Sequence, residues 1–178
     1  MGLLGMNPEV MILSGSDTHF ENTMEKTLWE DLRESFPVDR VDFDDADDLD
    51  IPENLEKLER KIENSQEIFL ICYCLGGILG LLLRTHEKVS GVVAMDPPKG
   101  IVDSDGRRFG VDEIYQEEDV LLIGSEQAED GLPRTDARRE ILKTSHSFRG
   151  KAEEVSALVE DWLNEKIDEQ EAEADIHG

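Results

Sequence analysis

Two cysteines stand two residues apart in Ile68-Phe69-Leu70-Ile71-Cys72-Tyr73-Cys74-Leu75-Gly76-Gly77, and four histidines are scattered along the chain. These side chains have the types that nucleophilic and proton-transfer chemistry needs. Cys74 closes an apolar run of strand length. It is followed by two glycines and then by the apolar, helix-like run Ile78-Leu79-Gly80-Leu81-Leu82-Leu83. A strand that ends on a nucleophile and turns at once into a helix has the layout of a nucleophile elbow, written small-x-nucleophile-x-Gly-Gly. The turn is so tight that positions two residues from the nucleophile must be small. Gly76 meets that need, and Cys72 stands where Gly is commoner. The sulfur of Cys74 then sits at a helix N-terminus, where free N–H groups and the helix dipole favour thiolate. Cys72 is left as a packing residue. The competing reading makes Cys74 itself a buried strand-end cysteine, since free Cys is among the most buried residue types.

A thiol nucleophile needs a base. His146, in Lys143-Thr144-Ser145-His146-Ser147-Phe148, falls between the last expected strand and the last expected helix. A neutral imidazole there takes the thiol proton and later protonates the leaving group. His19 follows the first strand and is a candidate pocket residue. His86, beside Glu87 and Lys88, reads as solvent-facing, and His177 belongs to an acidic C-terminal stretch. An oxyanion needs two backbone N–H groups aimed at the developing charge. Leu75, directly after the nucleophile, supplies one. The turn Ser14-Gly15-Ser16-Asp17 supplies the other, from Ser16 rather than from the negatively charged Asp17. The same turn also reads as an ordinary strand-to-helix connection. Ser14, Gly15, Asp17, His19, Tyr73 and Asp96 complete the candidate pocket.

The string Tyr73-Cys74-Leu75-Gly76-Gly77 resembles the dienelactone hydrolase family of the α/β-hydrolase superfamily, whose nucleophile is a cysteine in a Gly-x-Cys-x-Gly-Gly box. Cys72 replaces the first Gly of that box. Polyhydroxyalkanoate synthases carry a similar box on much longer chains. The setting of His146 resembles that of the hydrolase histidine. The resemblance implies a third member, an acid after the strand Val120–Ile123, as Gly-x-x-Asp with Pro three residues beyond. Asp130-Gly131-Leu132-Pro133 supplies the Asp-x-apolar-Pro part, three residues late from Gly124, so Asp130 is the expected acid, with Glu126 and Asp96 as rivals. The implied activity is hydrolysis of a carboxylic ester, lactone or thioester through an acyl-cysteine. Cys74, His146 and Asp130 form the triad, Leu75 and Ser16 hold the oxyanion, and no cofactor is involved. A catalytically silent hydrolase-fold binding protein is the alternative. A flavodoxin-like domain of the Parkinson-associated deglycase type needs a Glu near the thiol on an earlier strand, and none stands out.

These residues need elements to position them. Val10–Leu13, Val38–Phe43, Ile68–Tyr73, Val89–Met95 and Val120–Ile123 read as strands, with Thr144–Phe148 as a weaker sixth. Phe20, Met24, Leu28 and Leu32 recur at helical spacing, as do Leu55, Leu58 and Ile62, and then Val155, Leu158, Val159, Trp162 and Leu163. Alternating strands and helices predict a three-layer α/β/α sandwich around a mainly parallel sheet of about six strands. With the resemblance, this is a minimal α/β-hydrolase fold without a large lid, the segment Asp96–Asp119 being too short for one. Residues 1–165 form the expected single domain, and 166–178 an acidic, flexible tail. Ligands in such sheets bind at the carboxyl ends of strands where strand order reverses. With the resemblance, that point falls beside the Val10–Leu13 and Ile68–Tyr73 strands.

Composition narrows the partners. The 178 residues carry 43 acidic and 18 basic side chains, a formal net charge of -25. That sign argues against nucleic acid and anionic membranes, and leaves a small-molecule substrate as the expected partner. No motif encodes an oligomeric state. No run reaches transmembrane length, the N-terminus lacks the basic flank of a signal peptide, and two cysteines this close cannot frame a disulfide. A cytoplasmic location is therefore expected, where a catalytic thiol stays reduced. Metal is not expected: the Asp42–Asp50 run lacks the Gly and terminal Glu of a calcium loop, and in Asp103-Ser104-Asp105-Gly106 the Gly arrives too early. The spread acidic surplus resembles halophilic cytoplasmic proteins. Repulsion among surface carboxylates reaches about 30 Å at roughly 10 mM salt and about 3 Å at roughly 1 M. The melting temperature is therefore expected to rise steeply between low and molar KCl. A calorimetric scan that stays flat across that range contradicts the halophilic reading.

Overall fold

The computed structural model describes residues 8–15, 23–43, 50–115 and 118–177. Its centre is a six-stranded, fully parallel sheet of β1 (Glu9–Leu13), β2 (Val38–Val41), β3 (Ile68–Tyr73), β4 (Val89–Met95), β8 (Val120–Ser125) and β10 (Arg139–Leu142). The order across the sheet is β10-β8-β4-β3-β1-β2. From β1 the chain moves outward through α1 (Thr23–Ser35) to β2. It then returns through α2 (Ile51–Glu63) to β3, on the other side of β1. The reversal lies between β1 and β3, so their carboxyl ends, at Ser14-Gly15 and at Cys74, open on one crevice.

Side-chain alternation sorts the core into two layers. Met11, Leu13, Leu70, Cys72, Val92, Ala94 and Leu122 face α2 and α3 (Leu75–Leu83). Val10, Ile12, Phe69, Ile71, Tyr73, Val93 and Leu121 face α1 and α4 (Ala152–His177). Helix α3 is buried nearly all round. Two small residues let it lie against the sheet: a Cβ on Gly76 would stand 2.2 Å from the Leu13 carbonyl oxygen, and one on Gly80 would stand 2.2 Å from Cys72 Sγ. Helix α2 starts on Asp50, whose carboxylate accepts from the Glu53 N–H at 2.9 Å, with Pro52 in the first turn.

Two expectations need correcting, and one segment holds short strands that no period in the sequence shows. The sixth strand is Arg139–Leu142, not Thr144–Phe148. Ile141 and Leu142 supply the half-buried strand, while Ser145 and Ser147 favour turns, which frees residues 143–150 to carry His146 as a loop. The segment between β4 and β8 contains short strands. Strands β5 (Ile101–Val102) and β6 (Arg108–Phe109) form a small hairpin, and β7 (Glu113–Ile114) pairs with β9 (Arg134–Thr135). Finally, α4 continues as helix to His177 through the acidic stretch. Glu, Ala and Gln are good helix formers, Lys166 pairs with Glu169 at 2.8 Å, and the first glycine is Gly178. The side chains from Glu171 to Ile176 are exposed, so this stretch packs on nothing.

The Gly76 contact is against backbone and cannot relax by a rotamer change. Gly76→Ala is therefore expected to destabilise the fold by about 3 kcal/mol or more, in the range of severe overpacking. Urea denaturation of the variant against wild type measures it.

Candidate active site

Cys74 caps the N-terminus of α3 with φ 50° and ψ -114°. That conformation is sparsely populated for a residue with a side chain and persists only where its surroundings over-determine it. They do so here: the Cys74 N–H donates to the Met95 carbonyl at 2.9 Å, and its own carbonyl accepts from the Gly77 N–H at 2.9 Å. The turn projects a half-buried side chain beyond the strand end, toward the crevice. Gly15 borders it, since a Cβ there would lie 3.0 Å from Cys74 Cβ. Cys72 points to the opposite face, fully enclosed, where burial pushes its thiol pKa well up and leaves it inert. The two cysteines thus have different environments despite their spacing.

His146 approaches the sulfur from the loop after β10, close enough that Cys74 helps to raise its pKa. Its Nδ1 is 2.9 Å from Asp96 Oδ2, which leaves Nε2 for the sulfur. Asp96 directly follows β4, at φ 43°, another left-handed non-glycine backbone. Its side chain is completely buried. A carboxylate there needs several donors to offset desolvation. It has them: the Ser125 N–H donates to Oδ1 at 2.6 Å, the Ser125 hydroxyl donates to Oδ2 at 2.5 Å, and His146 takes the remaining site. The hydrogen bond to Asp96, then that to Cys74, raises the His146 pKa from the usual 6.5 to about 10, against the lowering effect of burial.

The carboxylate at His146 is therefore Asp96, one of the rivals, and not Asp130. Asp130 lies exposed in a 3-10 turn, Glu129–Gly131. Glu126 is also exposed. The physical reason is strand order: β4 lies between β3 and β8, so its end is next to the elbow. Leu75 is the first residue of α3, where an N–H has no acceptor within its own helix. Ser14 is buried beside Gly15, and its hydroxyl has no hydrogen-bond partner among the described residues. Tyr73 is buried under His146. Ser16, Asp17 and His19 lie outside the described residues, as does the side chain of His177. His86 is partly buried at the end of α3, where its Nδ1 accepts from the Lys88 N–H at 3.2 Å. Ser125 escapes a reading of the sequence, because a serine closing an apolar strand carries no signal until its partner is known.

Solved structures place this architecture. A hydrolase of the α/β superfamily from Xanthomonas campestris superposes with a TM-score of 0.67 at 14% identity, over 89% of this chain and 98% of that one. The ydeN gene product of B. subtilis gives 0.64 at 13% identity, over 89% and 100%. A lidless α/β serine hydrolase, also from X. campestris, gives 0.55 at 16% identity, over 90% and 83%. The fold is that of the α/β hydrolases. No family model matches the sequence, and no curated protein does. Among the described residues no helix is long and apolar enough to cross a membrane.

A His pKa raised by folding contributes stability that is full below about pH 6.5 and is lost as pH rises toward about 10. NMR titration of the His146 ring is expected to show imidazolium throughout neutral pH. Asp96→Asn removes the largest cause of the shift and is expected to move the titration down toward the ordinary value. It should also flatten the matching decline in stability. An unmoved titration contradicts the assignment of Asp96 as the partner.

Proposed function

We propose that the chain is a thiol-dependent hydrolase of carboxylic esters, lactones or thioesters, with a Cys74–His146–Asp96 triad. The observation that carries this is the chain of contacts from Cys74, at a strained strand-to-helix turn, through His146 to a buried carboxylate. Asp96 takes the role expected of Asp130. The substrate is a small molecule, as the likeness to esterases and other α/β hydrolases supports.

The Cys74 thiol proton passes to His146, leaving thiolate beside imidazolium. The Cys74 sulfur attacks the substrate carbonyl carbon, forming a C–S bond, and the carbonyl oxygen becomes an oxyanion. The Leu75 N–H and a second N–H from the turn after β1, at Ser16, stabilise that charge. As the oxyanion collapses, the bond to the leaving oxygen or sulfur breaks, and His146 gives that atom its proton from Nε2. Neutral His146 then accepts a proton from water as the hydroxide adds to the acyl carbon. The C–S bond breaks, the carboxylic acid leaves, and the thiolate–imidazolium pair is restored. Asp96 holds the ring and offsets the imidazolium charge without itself becoming protonated. Serine hydrolases of this fold must remove a hydroxyl proton first. A thiol needs less help, because its pKa is already near neutrality.

The test is a panel of chromogenic esters and thioesters. Cys74→Ala is expected to abolish turnover, and Cys72→Ala to keep it. Asp96→Asn should cost about a hundredfold or more in kcat, whereas Asp130→Asn should change it less than about twofold. Above about pH 10 the rate should fall as His146 loses its proton. A wild type without turnover, whose two cysteines alkylate slowly and equally, would make the chain a silent binding protein instead.

A further inference from the structure

Tyr73 is the last residue of β3 and directly precedes Cys74. It is 1% exposed, so its hydroxyl needs a partner within the protein. That partner is the backbone carbonyl of His146, to which the hydroxyl donates at 2.8 Å. The tyrosine ring also stacks on the imidazole, with centroids 5.2 Å apart and planes inclined by 27°. It meets the buried Phe148 ring edge-on at 6.2 Å. One side chain thus touches His146 at both its backbone and its ring. The loop around His146 is closed by short-range bonds, among them Ser145 Oγ to Ser147 Oγ at 3.1 Å and the Lys151 N–H donating to the Phe148 carbonyl at 3.0 Å. The Phe148 N–H donates to the Ser145 carbonyl at 2.9 Å, and the Thr144 hydroxyl donates to the Arg149 carbonyl at 3.1 Å. The His146 side chain is 47% exposed, so solvent covers much of its surface away from these partners.

We propose that Tyr73 is a positioning residue of the site: its hydroxyl fixes the His146 carbonyl, and its ring fixes the imidazole plane between Asp96 and Cys74. This rests on the triad reading but is separable from it. Tyr73 and Cys74 are consecutive, so the spacing of nucleophile and base is set by one strand end. It does not depend on two loops moving independently. The aromatic face also attracts positive charge and favours imidazolium. It works in the same direction as the two side chains that raise the His146 pKa, Asp96 after β4 and Cys74 before α3.

Tyr73→Phe and Tyr73→Leu separate the two contacts. Three measurements apply: kcat/KM on p-nitrophenyl acetate, the iodoacetamide labelling rate of the Cys74 peptide at pH 6, and NMR titration of His146. Tyr73→Phe keeps the stack and loses the hydroxyl. It is expected to lower kcat/KM about tenfold, through kcat with KM nearly constant, and to slow labelling several-fold. Tyr73→Leu loses both, with about a hundredfold loss of kcat/KM and a His146 titration shifted to lower pH. A tyrosine that only supports the core would lower the melting temperature while leaving labelling rate and titration alone. Wild-type kcat/KM and labelling in Tyr73→Phe overturn the proposal, even where Tyr73→Leu does not fold. A wild type that turns over no ester, yet labels more slowly in Tyr73→Phe, overturns the hydrolytic reading and upholds the role of Tyr73.

Discussion

The backbone of Cys74 at φ 50° and ψ -114° is the constraint on which the site depends. A non-glycine residue enters that region at a cost of about 1–3 kcal/mol, and the surrounding structure must hold it there. The holding is done by burial. Strand β3 is enclosed along its whole length, and α3 is clamped against β1 by the contact that only a glycine at position 76 permits. Each buried Leu or Ile in this layer contributes roughly 1.5–3 kcal/mol relative to exposure, so a few of them outweigh the strain. The direction of the sulfur is therefore fixed by the core rather than by the loops that surround it. The same turn brings the N–H groups of α3 to the sulfur. One piece of backbone thus aims the proposed nucleophile and places the donors that would receive an oxyanion.

Asp96 presents the second problem, a fully buried carboxylate. Isolated in the core its charge would lose the solvation of water with nothing to replace it, a steep cost. Three donors on two residues offset that penalty, and one of them is the imidazole. The arrangement ties three strand ends together: Cys74 after β3, Asp96 after β4 and Ser125 at the end of β8. These strands are neighbours in the sheet, so the site's geometry follows from ladder register rather than from loop length. In register, Tyr73 lies opposite Met95 and Met95 opposite Ile123, which brings the three ends level. An acid placed after β8 would have needed its own loop to fold back over His146.

The large elements were legible because their signals are long. The five main strands and the helices carry apolar periodicity over many residues, and the elbow combines that periodicity with a small-residue rule. His146 was legible from its place between the last strand and the last helix. Asp130 was misleading because a spacing pattern was matched where a position in space mattered. Asp96 carried its own cue, an acid at the end of a buried strand before Pro97-Pro98, but such a sequence equally reads as a strand stop. The two-residue strands β5, β6, β7 and β9 are too short to show any period. Strands β5 and β6 close a local hairpin, whereas β7 and β9 are set by partners distant in sequence, as when Glu113 pairs with Arg134. The helical end of α4 was hidden for the opposite reason. Its residues have high helix propensity but nothing to bury, and packing was the criterion for an ordered element.

The acidic surface and the site respond to different length scales. The contacts that define the site are 2.5–2.9 Å long and largely shielded by protein. At a screening length of about 3 Å, reached at roughly 1 M salt, such contacts keep most of their strength. Repulsion among surface carboxylates separated by tens of ångströms does not survive that screening. The surplus of acids also acts on the site itself. A negative field favours the imidazolium of His146 and disfavours the thiolate of Cys74. Their pairing gives a dipole with no net charge, so the field changes the balance within the pair less than it would change either group alone. On the proposed mechanism, a nucleophile activated as an ion pair suits a chain carrying a net charge of -25, because a thiolate there would form beside its own counter-ion and not alone against the whole surface.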